Sequence, residues 1–202
     1  MRTALISDIH GYFDVLQTVM KHIETQSCDR VLCLGDMVDG GSQSGEVVQF
    51  ICDQNILTVR GNHDEDSSSD LTLEAQKYLR ELPESLVEDD VIYTHISPRP
   101  TKKDIKTDFD AWNVFDDIAY RLIFIGHVHV PAIWGQECAQ PISATKHEII
   151  YDQPFQLKPD NRYIICVGAV GQTRDWCPYP RYAIYDSVAQ TVSFHAPTIS
   201  TK

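Results

Sequence analysis

Apolar residues in the first half of the chain fall in short runs, each closed by glycine, aspartate or histidine. Thr3 to Ser7 predicts a strand, and Val15, Leu16, Val19, Met20 and Ile23 recur at the spacing of one helix face, giving a helix from about Tyr12 to Thr25. Arg30 to Leu34 and Ile56 to Arg60 predict two further strands. Between them, a polar bend of Gly40, Gly41, Ser42 and Ser44 precedes a helix near Glu46 to Asp53. The acidic, serine-rich run Glu65 to Asp70 reads as a solvated loop leading into a helix from Leu71 to Leu82, which Pro83 stops. Alternating strand and helix predicts a mostly parallel sheet with helices on its faces.

The pattern changes after residue 85. Leu86 to Glu88 and Val91 to Thr94 flank Asp89 and Asp90 as in a tight hairpin. Pro98 to Asp110 reads as loop, Ala111 to Ala119 as one short helix, and Leu122 to Ile125 as a strand. The short runs Val130 to Trp134, His147 to Tyr151, Tyr163 to Val167, Arg181 to Tyr185 and Thr191 to His195 predict a second, largely antiparallel sheet. The expected fold class is α/β (α+β), a two-sheet sandwich derived from βαβ units and flanked by helices, with residues 1–202 as one domain.

Composition narrows the picture. A chain of 202 residues that is 43% hydrophobic can bury a full core, and no apolar tract reaches bilayer-spanning length. The N-terminus lacks the basic and apolar regions of a signal peptide. Cys28, Cys33, Cys52, Cys138, Cys166 and Cys177 form no CxxC pair, and several lie in apolar runs, so reduced thiols in a cytoplasmic protein are expected. A net charge of -12 argues against binding a nucleic-acid backbone. An acidic protein that handles an anion needs bound cations or well-placed arginines.

The ends of the apolar runs carry the chemistry. Asp8 and His10 follow the first strand two residues apart, and four later segments echo them: GDMVDGG at 35–41, GNHD at 61–64, THISP at 94–98 and GHVH at 126–129. Parallel strands end on one sheet edge, so Asp8, His10, Asp36, Asn62, His95, His127 and His129 are expected to converge. Seven oxygen and imidazole donors exceed the four of a structural zinc site and suit two ions that share a carboxylate. Gly35, Gly61 and Gly126 precede ligands, where a missing side chain permits close backbone approach or positive φ.

The motifs DIH, GDMVD, GNHD, an isolated His95 and GHVH, in that order, resemble the signature of the calcineurin-like metallophosphoesterases. The resemblance implies two stacked sheets flanked by helices. It implies one ion on Asp8, His10 and His129, a second on Asn62, His95 and His127, and Asp36 bridging them. His63 becomes the general acid and Asp39 the carboxylate that orients it, with a turn-capping role as the alternative for Asp39. The segment GAVGQTRD at 168–175 further resembles small bacterial and archaeal phosphoesterases related to diadenosine tetraphosphatase and to protein phosphatases.

Departures from those relatives shape the substrate. Gly40 stands where the protein phosphatases carry a phosphate-binding arginine, and Asp64 where they carry glutamate, which disfavours a phosphoprotein. Ile96 replaces a small residue and either narrows the pocket or fills a gap. Arg174 is the candidate phosphate clamp, with a surface arginine paired to Asp175 or another carboxylate as the alternative. Arg99, Lys102 and Lys103 either steer an anion or face water, and Trp134, Trp176, Tyr179 and Tyr182 either stack on a base or pack in the core.

The expected activity is hydrolysis of a phosphoester or phosphoanhydride by a hydroxide bridging two ions, manganese first, with iron, zinc or nickel as alternatives. The expected substrate is a small phosphorylated molecule or nucleotide. A dinucleoside polyphosphate hydrolase is the second reading, and a non-catalytic metal-binding scaffold the third. No membrane partner is expected, and oligomeric state is left open.

Overall fold

Strand β1 (Arg2–Ile6) is buried on both faces because it lies at the middle of a sheet covered on both sides. The computed structural model describes residues 1–140 and 142–198. Beside β1 lie β2 (Arg30–Cys33) and β3 (Leu57–Thr58), all parallel, with Thr3 opposite Arg30 and Leu32 opposite Leu57. Helices α1 (Phe13–Glu24) and α2 (Ser44–Asp53) supply the connections, and α1 buries Leu16, Val19 and Ile23 as its spacing predicts. A four-residue helix α3 (Asn62–Glu65) and then α4 (Leu73–Glu81) follow, the latter started by Thr72, whose hydroxyl accepts from the Ala75 amide at 3.2 Å.

The second sheet opens with the hairpin β4 (Ser85–Glu88) and β5 (Val91–Thr94), turning at Asp89 and Asp90 as expected. Helix α5 (Asp108–Asp117) begins three residues before the expected Ala111, because Thr107 and Asp110 form a reciprocal capping box. Then come β6 (Leu122–Ile125), β7 (Ala132–Gln140), β8 (Ser143–His147), β9 (Pro154–Gln156), β10 (Tyr163–Cys166), β11 (Tyr182–Asp186) and β12 (Thr191–His195).

The two-sheet architecture stands, but its strand allocation corrects the sequence expectation. One six-stranded sheet runs β3-β2-β1-β11-β12-β9 and the other β4-β5-β6-β10-β7-β8. The last two strands therefore join the first sheet, with Thr3 opposite Tyr185, rather than the second. Along β11 and β12, Ala183, Tyr185, Val192 and Phe194 face the core between the sheets, so these strands fill the open side of β1. The second sheet is not largely antiparallel either, since β5, β6 and β10 are parallel. The expected strand His147 to Tyr151 is instead β8, ending at His147.

Three apolar cores give four layers. Leu5, Leu32, Tyr93, Phe124, Ile165 and Tyr185 lie between the sheets. Ala4, Ile6, Leu16, Val19, Val47 and Ile51 join the first sheet to its helices, and Ile123, Ile125, Trp134, Val114 and Phe115 join the second to α5. Consecutive residues of β1 thus serve different cores, the alternation of a strand covered on both faces. Trp134 and Tyr182 are core residues, whereas Trp176 and Tyr179 are exposed. The thiols of Cys28, Cys33, Cys52, Cys166 and Cys177 are free, and the side chain of Cys138 lies outside the described residues.

Candidate metal centre

The carboxyl ends of β1, β2, β3, β5 and β6 open on one edge of the molecule, and the loops there are zipped together through their backbones. The amides of Asp8, His10 and Gly11 donate to the carbonyls of Gly35, Asp36 and Met37 at 2.8 to 3.0 Å, and those of Val170 and Gly171 to Ser7 and Asp8 at 2.9 Å. Asp8, His10, Asp36, Asp39, His127 and His129 all take left-handed backbone conformations, with φ between 52° and 66°. That region costs a non-glycine residue roughly 1–2 kcal/mol, so the surrounding hydrogen bonds must hold it.

Glycines make room for the crossing loops. A Cβ on Gly126 would collide with Ser7 Oγ and lie 2.7 Å from Asp8 Oδ2, and one on Gly61 would collide with Asp36 Oδ1. Of the three glycines that precede ligands, Gly35 alone has positive φ, at 90°. Asp64 fastens the second and third motifs: its carboxylate accepts from the amides of Asp36, Met37 and Gly61 at 2.8 to 2.9 Å. It is a structural staple, and burial together with the nearby Asp36 charge pushes its carboxyl up to about 6.

The side chains converge in three overlapping groups whose ligand atoms lie within 4.8 Å of one another: Asp8, His10 and His129; His10, Asp36 and His63; and Asp36, His95 and His127. Asn62 joins the third group, its Oδ1 lying 3.2 Å from His95 Nε2. All seven expected ligands are therefore brought together.

Backbone carbonyls fix how the imidazoles point. His10 Nδ1 lies 2.7 Å from the Asp39 carbonyl, His95 Nδ1 lies 2.6 Å from the Leu34 carbonyl, and His129 Nδ1 donates to the Gln172 carbonyl. Each ring thus turns its Nε2 inward, the atom a bound cation would take. The inward atoms then crowd together: Nε2 of His10 and His129 are 3.3 Å apart, His129 Nε2 is 3.2 Å from Asp8 Oδ1, and His95 Nε2 is 3.1 Å from Asp36 Oδ2. Asp36 Oδ1 accepts from the His63 amide at 2.9 Å, but the buried Oδ2 has no hydrogen-bond partner. Imidazole nitrogens and carboxylate oxygens packed this closely in a buried site suit a divalent transition ion, which would displace any proton held between them.

The same field acts on protons. Burial alone would raise Asp36, but His95 outweighs it and holds the carboxyl at about 2. Burial alone would lower His95, but Asp36 and Asp8 push it up to about 9. Burial leads the lowering of His10, against the pull of Asp36 and Asp8. For Asp8, burial is likewise overcome, by His129 and His95, and its carboxyl is lowered.

Beside the cluster, His63 Nδ1 lies 3.3 Å from Asp39 Oδ2. Asp39 also accepts from the Ser67 and Ser69 hydroxyls at 2.9 and 2.7 Å, and from the Ser68 and Ser69 amides. The run Glu65 to Asp70 is thus not merely solvated loop; its serines wrap Asp39. Burial pushes Asp39 up, and the bonds from Ser69, Ser68, Ser67 and His63 reverse this to about 2. Asp104 was also not singled out in the sequence: its Oδ1 lies 2.8 Å from His127 Nε2, while Lys106 holds its other oxygen at 2.5 Å. Neither contact has a spacing signal. Arg174 is exposed, and Asp175 pairs with the buried Arg181 at 2.5 Å instead. Arg99 pairs with Asp117 and Lys102 with Glu84, at 2.6 and 3.0 Å. Ile96 lines a cavity of about 310 Å³ that reaches Asn62 and His95.

A cluster of inward imidazoles and carboxylates at the strand ends of a two-sheet α/β sandwich could hold metal ions, and comparison with known proteins places the fold among the metallophosphoesterases. The sequence pattern described as calcineurin-like phosphoesterase matches residues 1–86. The crystal structure of a metallophosphoesterase from Sphaerobacter thermophilus is 30% identical, with a TM-score of 0.87 over 100% of this chain and 90% of that one. An uncharacterized protein of Methanocaldococcus jannaschii is 29% identical over 211 residues, 91% of this chain and 82% of its own. The symmetrical bis(5'-nucleosyl)-tetraphosphatase of Actinobacillus pleuropneumoniae is 37% identical over 67 residues, 32% of this chain and 25% of its own. The chain belongs to the calcineurin-like phosphoesterase family.

Proposed function

We propose that this chain, as one domain over residues 1–202, hydrolyses a phosphoester or phosphoanhydride of a small phosphorylated molecule or nucleotide. The observation that carries the reading is the set of inward-turned Nε2 atoms packed against carboxylate oxygens, with Asp36 Oδ2 buried at its centre. Asp8, His10 and His129 would hold one divalent ion and Asn62, His95 and His127 a second, with Asp36 between them. Manganese is the first candidate, and iron, zinc and nickel suit the same donors. Such ions supply Lewis acidity toward phosphoryl oxygens and make water a stronger acid.

The chain's own groups complete the chemistry. Asp39, ionised across the working pH range, accepts the His63 Nδ1 proton and so turns the other ring nitrogen out toward a leaving oxygen. Protonated there, His63 gives up its proton as the phosphorus–oxygen bond breaks. Asp104 does for His127 what backbone carbonyls do for His10, His95 and His129, fixing the ring and its tautomer. Arg174, exposed two residues beyond Gln172, is assigned the task of clamping a substrate oxygen. The five free thiols support a reducing, cytoplasmic setting.

A second reading, cleavage of a dinucleoside polyphosphate, is favoured by the 67-residue match to the tetraphosphatase. The test is a screen of metal-stripped protein with added ions on nitrophenyl mono- and diesters and on dinucleoside polyphosphates. Activity restored by ions and absent in Asp36→Ala is the expected result. Inactivity on every substrate with every ion would overturn the reading and favour the scaffold.

A further inference from the structure

The cavity beside Asn62 and His95 joins two cations to the metal centre. Arg60 stands immediately before Gly61 and Asn62, and its guanidinium is anchored to the Arg80 carbonyl at 3.2 Å and to Glu84 at 3.4 Å. Lys102, on the loop after His95, comes from the other wall to the same Glu84, at 3.0 Å. Ile96 and Pro98 form the apolar side. In a chain of net charge -12, Arg60 and Lys102 meet on Glu84, with Glu65 also 3.9 Å from the Arg60 guanidinium, at the mouth of a cavity that reaches the proposed ligands.

Glu84 is 60% exposed, so its ion pairs with Arg60 and Lys102 are screened by water and worth little. A phosphate offers charge-assisted hydrogen bonds to the same two groups, and the arginine fork suits its oxygens. Exchange of Glu84 for a phosphate is therefore favourable. The volume, about 310 Å³, is at the lower end for ligand sites, room for one end of a small nucleotide rather than a protein segment.

We propose that Arg60 and Lys102 form a subsite for a second phosphate, which makes a phosphoanhydride, such as a nucleotide polyphosphate, the preferred substrate of the centre. This rests on the phosphoesterase reading above. A phosphate at the metal centre would continue through a bridging oxygen into a neighbour held by Arg60 and Lys102, with the remainder of the ligand along Ile96 and Pro98.

Calorimetric titration of manganese-loaded protein with methylphosphonate as the monophosphate and methylenediphosphonate as the diphosphate tests this without turnover, since neither has an ester or anhydride bond to cleave. Wild type should bind the diphosphate at least about tenfold more tightly than the monophosphate. Arg60→Gln and Lys102→Gln should each shrink that ratio about fivefold or more, with metal content unchanged. Glu84→Gln, which frees both cations, should enlarge it and serves if either other variant fails to fold. A wild-type ratio near one, or a ratio unmoved by these substitutions, would overturn the subsite. Wild-type hydrolysis of p-nitrophenyl phosphate, measured alongside, separates this from failure of the phosphoesterase reading, because the binding ratio is read without catalysis.

Discussion

Asp104 and His127 meet side chain to side chain, Oδ1 to Nε2, at 2.8 Å, and Lys106 holds the other carboxylate oxygen. The contact reaches from the loop before α5 to the last metal motif and fixes an imidazole whose partner is not a backbone carbonyl.

Asp104→Ala should weaken metal binding at one of the two positions about 10- to 100-fold and leave the other unchanged. Asp104→Asn, which keeps an accepting oxygen, should lose less. Competitive titration with a metal-binding dye reads both constants, and wild-type affinities in Asp104→Ala would remove the residue from the site.

Gly126→Ala places a methyl group against Ser7 Oγ and 2.7 Å from Asp8 Oδ2, both in the buried loop that carries the first motif. Neither neighbour can swing away, so a loss of about 1–3 kcal/mol in stability and a disturbed metal content are expected. Urea unfolding with elemental analysis checks this; an unperturbed protein would contradict the close approach of these loops.

His63→Ala should keep the metal and lose rate chiefly on esters with poor leaving groups, by about 100- to 10,000-fold, the usual worth of general acid catalysis. Nitrophenolate leaves without a proton and should show a smaller loss. The comparison is kcat/KM across a leaving-group series, and an equal loss on all members would move His63 from proton donor to phosphate positioning.

Asp39 links the site to acid stability. Its folded pKa of about 2 lies below the ordinary 3.8, so its stabilisation is complete above pH 3.8 and is lost as pH falls through about 2. With solvent screening allowed for, this is about 1–2 kcal/mol at neutral pH. Asp39→Asn should lower urea stability by that amount at pH 7, and the difference should vanish near pH 2; a difference that grows on acidification would reverse the sign of the argument.

The parallel half of the fold was legible because each apolar run carries its own punctuation, as Ala4 to Ile6 before Asp8 shows. Which sheet Tyr182 to Asp186 and Thr191 to His195 join was not legible, because Val192 and Phe194 alternating with Thr191 and Ser193 show one buried face but not which sheet has an open edge. The seven expected ligands converge because strand ends share an edge and their chemistry is local to short motifs. Asp104 and Ser67 to Ser69 act through contacts made only by folded loops, and in sequence they look like any charged or polar turn.

If the inward-facing nitrogens and carboxylates around Asp36 bind two ions that make the chain a phosphoesterase, metal-stripped protein titrated with Mn²⁺ should show no hydrolysis of p-nitrophenyl phosphate before metal is added and a rate that levels off close to two equivalents per chain. A rate that levels off at one equivalent, or that is indifferent to metal, would rule out the two-ion centre.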